Sequence, residues 1–172
     1  MNDKLRAAIR DVPDFPIKGI LFKDITPILR DGELFRQAVD AIADRHTGKK
    51  IDSVVGIDAR GFIFAGAVAY KLGCGLVPVR KKGKLPWKTV VTSYTLEYGS
   101  ETSEMHIDAI GKGHNVIIVD DLLATGGTAM AAAQLVKQLG GNIVEIDFLI
   151  ELSFLKGRDR LKDFPVFATV VY

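Results

Sequence analysis

Continuous apolar runs rich in β-branched residues constrain the fold of this chain more than any other feature. The runs at 51–57 (IDSVVGI) and 115–121 (NVIIVDD) lack the polar–apolar alternation of a half-exposed strand, which is typical of strands covered on both faces. Helical patterns follow each run, at Gly61–Leu72 and Gly127–Leu139. Further strands are predicted at 75–80, 142–152 and 164–172. Strands that alternate with helices predict an α/β fold: a mainly parallel central sheet flanked by helices, with right-handed crossovers.

Four segments lie outside this alternation. The first is a short N-terminal helix predicted from Leu5, Ile9 and Val12 at helical spacing. It leads into residues 12–27, where three prolines and one glycine predict an ordered loop. A helix after Asp31 follows, with a buried stripe of Leu34, Phe35, Ala38, Val39 and Ile42. The last segment is residues 81–104, whose length and Gly/Pro content are typical of a functional lid or a disordered segment.

Bulk properties limit the classes of protein. The 172 residues fit a single domain spanning 1–172, and the net charge of +2 gives little general attraction to nucleic acid or membrane. The charged N-terminus lacks the apolar core of a signal peptide. The most apolar stretch, GFIFAGAVAY, is about half of the ~20 residues that a membrane span needs. Cys74 is the only cysteine and cannot form an intrachain disulfide, so a cytoplasmic location is expected.

The segment 116–128, VIIVDDLLATGGT, carries the clearest chemical signal. It consists of an apolar strand, two acids, a Thr/Gly turn and the start of a helix. Backbone N–H groups at a helix start lack intrahelical partners, so they bind phosphate. Asp120 and Asp121 would repel that anion and therefore need another partner, which the 2′- and 3′-hydroxyls of a ribose 5-phosphate would supply. The alternative is a solvated acidic strand end followed by a capped helix.

Two further basic features point to an anionic substrate. The turn Asp58-Ala59-Arg60-Gly61 also lies between a strand and a helix, and is a second candidate anion site. Residues 80–84, RKKGK, place cations where a strand passes into the lid. Without the first motif, the turn could be a capped helix start and the basic run a solvated surface.

The chain resembles the type I phosphoribosyltransferases, and nearly its whole length resembles the adenine-specific branch. The strings PDFPIKGILFKDITP, GIDARGF, RKKGKLP, SYTLEYG and VDDLLATGGT occur in the order and spacing of that branch. The resemblance implies the type I phosphoribosyltransferase fold with a small N-terminal hood (about 13–30) and a flexible β-hairpin lid (about 81–104). It implies transfer of the 5-phosphoribosyl group from phosphoribosyl pyrophosphate to adenine, which gives AMP and pyrophosphate in purine salvage.

The resemblance also implies residue roles. Phe22 would stack on one face of adenine, Leu122 would contact the other, and the backbone of Leu21 and Lys23 would contact the base edge. Glu97 in the lid would manage the proton of the base, and Tyr98 beside it would contact the substrate. The remaining implied substrate contacts are Asp58, Ala59, Arg60, Arg80, Lys81, Lys84, Asp120, Asp121, Ala124, Thr125, Gly126, Gly127 and Thr128, with Arg60 also stabilising the departing pyrophosphate.

Ala124 and the metal bear on specificity and mechanism. Oxypurine-specific relatives carry an Asp where this chain has Ala124, so hypoxanthine, guanine and xanthine are disfavoured. Mg²⁺ is expected to be held mainly by substrate and water, with no dedicated protein ligands. The resemblance implies a homodimer. The competing hypotheses are a phosphoribosyltransferase for another base and a non-catalytic regulator that senses phosphoribosyl pyrophosphate.

Overall fold

The central feature of the fold is a seven-stranded sheet, formed within residues 2–96 and 99–172, which a computed structural model describes. Five parallel strands make up most of it: β3 (Ser53–Ile57), β4 (Gly75–Lys81), β7 (Asn115–Leu123), β8 (Asn142–Glu151) and β9 (Val166–Val171). Two more, β5 (Thr89–Leu96) and β6 (Gly99–His106), are antiparallel. The order is β5-β6-β4-β3-β7-β8-β9. The predicted α/β fold with a mainly parallel sheet is confirmed.

Both faces of the sheet are covered, as the apolar runs predicted. Every residue of β3 is buried, and its successive side chains enter different cores: Val54 packs in one cluster and Val55 in the other. The first cluster lies under the helices α1 (Asn2–Ala8), α2 (Thr26–Arg30), α3 (Gly32–Ala43) and α4 (Gly61–Leu72). The second lies under α5 (Gly127–Gln138). Among the described residues no helix is long and apolar enough to cross a bilayer.

Local signals set the helix ends. The Asp31 side chain accepts hydrogen bonds from the backbone N–H groups of Glu33 and Leu34, so it caps α3, the helix predicted to follow it. Helix α4 ends at Leu72 and is followed by Gly73, whose left-handed φ of 67° favours glycine. Three short 3-10 helices, at Asp44–His46, Ser153–Leu155 and Gly157–Arg160, complete the helical elements of the described chain.

The N-terminal region differs from its prediction. Val12 lies in a strand rather than on the stripe of α1, and the predicted loop includes the end of that strand, a second strand and the start of α2. The strands β1 (Arg10–Pro13) and β2 (Leu21–Asp24) pair antiparallel and form a small sheet of their own. The prolines are compatible with this arrangement because Pro13 ends β1 and Pro16 lies in the connection. Pro27 occupies the first turn of α2, where it costs no hydrogen bond.

The excursion at 81–104 contains a β-hairpin, as the family resemblance implied. Strands β5 and β6 pair from Thr89↔His106 to Leu96↔Gly99, and β6 joins β4 only at Arg80↔Glu104 and Lys81↔Ser103. The hairpin also contacts α5, where the Thr92 hydroxyl donates to the side chain of Gln134. This segment therefore extends the sheet.

Candidate active site

The two acids lie where the sheet loses one neighbour of β7. The β3–β7 ladder ends at Gly56↔Val119, whereas β7 continues along β8 through Leu123↔Glu151. Asp120 and Asp121 therefore stand within β7, two residues before its end rather than at the end that the sequence suggested. They still lie at the carboxyl edge of β3, where ligands of open α/β sheets bind.

The acid pair is held in a partly desolvated environment. Asp121 is buried, and its Oδ2 lies 2.9 Å from Nε of Arg60. The Asp121 N–H donates to Oδ1 of Asp120. Burial, together with the neighbouring Asp121 charge, raises the pKa of Asp120 well above its usual range. Burial also raises the pKa of Asp121, against the opposing effect of Arg60. The site therefore holds two neighbouring carboxyl groups beside the Arg60 guanidinium.

The Thr/Gly turn is a close-packed backbone loop that leads into α5. Residues 124–126, with Gly127 at the helix start, line a cavity together with Asp120 and Phe148, and they are named the phosphate loop after their predicted role. Gly126 has a φ of 80°, and a Cβ on it would lie 2.5 Å from the carbonyl oxygen of Gly157. Glycine at 126 therefore permits both the left-handed backbone and the close approach of the chain behind the loop.

The second predicted anion site lies next to the first. A Cβ on Gly61 would lie 2.7 Å from Oδ1 of Asp120, so glycine lets the turn at 58–61 pack directly on β7. The peptide bond between Asp58 and Ala59 is cis. Arg80 donates from Nε to Oδ2 of Asp58 at 3.1 Å, which ties the basic run to this turn. A cavity runs between these groups and α5; it is lined by Ile57, Asp58, Val79, Arg80, Lys81, Ser103 and Thr128.

The N-terminal hood reaches the same edge through Arg60. The Arg60 guanidinium lies 5.2 Å from the centre of the Phe22 ring, and Phe22 in turn makes an edge-on contact with Phe15 at 5.0 Å. Val12, Phe15, Phe22 and Asp24 surround an open pocket there. Leu21 is exposed and Leu122 packs partly against the core under α4. Arg60 thus contacts both the acid pair and the hood.

Two predicted site residues lie outside the described residues, and two residues that support the site were not predicted. Glu97 and Tyr98 lie outside the described residues, so their roles stay predictions. Gly157 was not anticipated, because it supports the phosphate loop only through packing between distant parts of the chain. Glu104 was also missed; its carboxylate accepts hydrogen bonds from the backbone N–H groups of Lys84 and Leu85. No local pattern marks either residue.

The match to a family model agrees with this arrangement. Residues 27–167 match the phosphoribosyl transferase domain. The matched region holds the acid pair, the phosphate loop and the turn at 58–61. The chain belongs to the phosphoribosyltransferase family.

Individual relatives narrow the class further. An adenine phosphoribosyltransferase of Syntrophotalea carbinolica is 56% identical over 170 residues, which cover 99% of each chain. The crystal structure of adenine phosphoribosyltransferase from Rhodothermus marinus superposes with a TM-score of 0.95 at 52% identity, covering 99% of this chain and 98% of that one. The Saccharomyces cerevisiae enzyme, solved with an imino-altritol bisphosphate and adenine, gives a TM-score of 0.93 at 46% identity, covering 98% and 97%. Within its family the chain belongs to the adenine phosphoribosyltransferases.

Proposed function

We propose that this chain transfers the 5-phosphoribosyl group of phosphoribosyl pyrophosphate to adenine, which gives AMP and pyrophosphate in purine salvage. The observation that carries the proposal is the meeting of three groups at one sheet edge: the acid pair, the phosphate loop, and the turn at 58–61, whose Arg60 contacts the hood. A ribose 5-phosphate with a pyrophosphate leaving group requires hydroxyl acceptors, amide donors and cations in this arrangement.

The phosphoribosyl group would lie along the phosphate loop. The backbone N–H groups of Thr125, Gly126 and Gly127 at the start of α5 would donate to the 5-phosphate, with the hydroxyls of Thr125 and Thr128 as further donors. Asp120 and Asp121 would accept hydrogen bonds from the ribose hydroxyls. The ribose hydroxyls would then take the place of solvent around Asp120 and Asp121. They would also displace part of the contact between Arg60 and Asp121.

The pyrophosphate would occupy the cavity between the turn at 58–60 and α5. Arg60, Arg80, Lys81 and Lys84 supply positive charge there, with backbone amides near Asp58 and Ala59 as further donors. Mg²⁺ fits this donor set only as a substrate-held ion, because Asp58 is paired with Arg80 and Asp121 with Arg60. When bound, Mg²⁺ would neutralise charge on the departing pyrophosphate.

Adenine would bind under the hood. Phe22 would stack on the base, Leu122 would contact the opposite face, and the backbone of Leu21 and Lys23 would pair with N1 and N6. Hypoxanthine reverses the donor and acceptor at these positions, so it would leave both groups unpaired at a cost of ~1–3 kcal/mol each. Ala124 offers no polar group to an oxypurine.

In the reaction, the bond from ribose C1 to the pyrophosphate oxygen breaks and a bond from C1 to N9 of adenine forms. Positive charge develops at C1, and the carboxylates of Asp120 and Asp121 would stabilise it through the ribose. N9 loses a proton, which Glu97 would accept. The protein's part is therefore positioning, charge stabilisation and one proton transfer.

The proposal extends to assembly and location. A homodimer is supported by exposed apolar side chains on α4, including Ile63 and Tyr70, the latter 90% exposed. A cytoplasmic location is supported by the single cysteine, Cys74.

The test is incubation with phosphoribosyl pyrophosphate, Mg²⁺ and each purine in turn, with nucleotides separated by chromatography. Adenine should give AMP far faster than hypoxanthine, guanine or xanthine give their nucleotides. Comparable kcat/KM for hypoxanthine would refute the choice of base. Binding of phosphoribosyl pyrophosphate without turnover of any purine would favour the regulator instead.

Variants of the acid pair test the ribose contact. Asp120→Asn should weaken the use of phosphoribosyl pyrophosphate, whereas Asp108→Asn, at an exposed position away from the sheet edge, is the matched control. KM, kcat and thermal midpoint should be measured together. If Asp120→Asn behaves like the control in all three, the ribose-holding role is wrong.

A further inference from the structure

The hood needs support from outside itself. In the described chain β1 and β2 pair only with each other, over four residue pairs from Arg10↔Asp24 to Pro13↔Leu21. An isolated two-stranded sheet is marginally stable in water. A base-binding surface built on such a sheet would shift unless other contacts fixed it.

The two faces of β2 make different contacts. Neighbouring side chains of a strand point to opposite faces, so Phe22 contacts Arg60 while Lys23 points away from the site. The Lys23 side chain is only 8% exposed, and its Nζ lies 2.6 Å from Oδ1 of Asp11, its partner across the hairpin. Burying an ammonium group is costly unless it is well paired.

The second partner of Lys23 is the ring of Tyr172. Its Nζ lies 3.8 Å from the ring centre, the geometry of a cation–π contact, and the Arg6 guanidinium lies 4.7 Å from the same ring. Asp11, Lys23 and Tyr172 are named the hood anchor here.

Tyr172 is itself fixed to the chain beside the phosphate loop. Its backbone N–H donates to the carbonyl of Glu151, and its carbonyl accepts hydrogen bonds from both the N–H and the hydroxyl of Ser153. The next link is the N–H of Leu152, which donates to the carbonyl of Leu123, the residue before the phosphate loop. The hood anchor therefore connects the hood to the end of β7.

We propose that Tyr172 is a positioning residue for adenine. Through Lys23 it holds the backbone of β2 at a fixed place relative to the phosphate loop. Adenine bound to β2 is then positioned so that its N9 faces C1 of the ribose. This inference rests on the proposed function, because it assumes that β2 contacts the base. Loss of the ring should raise KM for adenine more than KM for phosphoribosyl pyrophosphate.

Three variants test the proposal. Tyr172→Leu keeps an apolar side chain but removes the aromatic face, and it should raise the adenine KM about tenfold. Tyr172→Phe keeps the ring and loses only the long hydrogen bond of the hydroxyl to the Arg6 carbonyl, at 3.4 Å, so it should keep KM values close to those of the wild type. Phe154→Leu makes the same change of side-chain class at a nearby ring that is 69% exposed, and it should leave both KM values unchanged.

Limited proteolysis gives a readout that does not depend on activity. Trypsin should cleave after Lys18 and Lys23 faster in Tyr172→Leu than in Tyr172→Phe, because the hood is no longer held. Equal adenine KM and equal cleavage in these two variants would overturn the anchor. If the wild type failed to convert adenine while Tyr172→Leu still loosened the hood, the proposed function would fall but the anchor would stand.

Discussion

Replacement of Gly126 by alanine isolates the close contact behind the phosphate loop. Gly126 and Gly113 have nearly the same left-handed backbone, with φ of 80° and 78°. A Cβ at Gly113 would meet nothing within 4 Å, whereas at Gly126 it would lie 2.5 Å from the Gly157 carbonyl oxygen. Gly113→Ala is therefore a matched control that carries only the backbone cost.

Comparison of the two variants separates the cost of the left-handed backbone from the cost of the contact with Gly157. A left-handed non-glycine residue costs about 1–2 kcal/mol, which both variants should show in the free energy of unfolding. Gly126→Ala should lose about 1–3 kcal/mol more, because the obstacle is backbone and the loop must move. Since that loop is proposed to hold the 5-phosphate, KM for phosphoribosyl pyrophosphate should rise tenfold or more in Gly126→Ala alone.

Urea unfolding and steady-state kinetics at saturating adenine measure both effects. The unfolding slope should be unchanged, so that midpoints compare directly. Equal stability and equal KM in Gly126→Ala and Gly113→Ala would show that the contact with Gly157 does not constrain the loop.

The other predictions concern charge, proton transfer and the lid. Arg60 opposes the burial that raises the pKa of Asp121, so Arg60→Gln should move the acidic limb of the kcat/KM profile for phosphoribosyl pyrophosphate to higher pH; an unmoved limb would contradict the pairing. Glu97→Ala should lower kcat by ~10²-fold with little change in adenine KM, in an assay where chemistry limits the rate. Unchanged turnover would make Glu97 a surface residue. Trypsin should cut first at the lysines of residues 81–88, and phosphoribosyl pyrophosphate with Mg²⁺ should slow this cleavage; equal rates would argue against a substrate-gated lid.

Elements whose burial is periodic or complete were predictable from the sequence. The pattern located β3 and placed α4 at Gly61–Leu72, because apolar spacing and glycine ends are local signals. The small sheet of β1 and β2 was not predicted, because its strands have four residues each and prolines dominate the segment. Tertiary contacts determine where such short strands form, and these contacts produce no periodic pattern in the sequence.

The motifs of the site could be predicted from the sequence, but the contacts between those motifs could not. Each motif marks a turn at the end of a strand, and parallel strands bring such turns to one edge. The ion pair between Arg60 and Asp121 joins two motifs, and the Lys23–Tyr172 contact joins segments near opposite ends of the chain. Contacts of this kind depend on how the elements pack, and a single sequence carries no local signal for that packing.

The hairpin of β5 and β6 has a mechanical consequence. Eight residue pairs join the two strands to each other, but only two pairs join β6 to β4. The hairpin's own pairing therefore outnumbers its pairing with the sheet, and a force that first broke its contact with α5 at Gln134 would turn the hairpin as one lever about Arg80 and Lys81 before its strands separated. The pivot of that lever lies in the basic run proposed to bind pyrophosphate, so a ligand at this point would act on the whole arm.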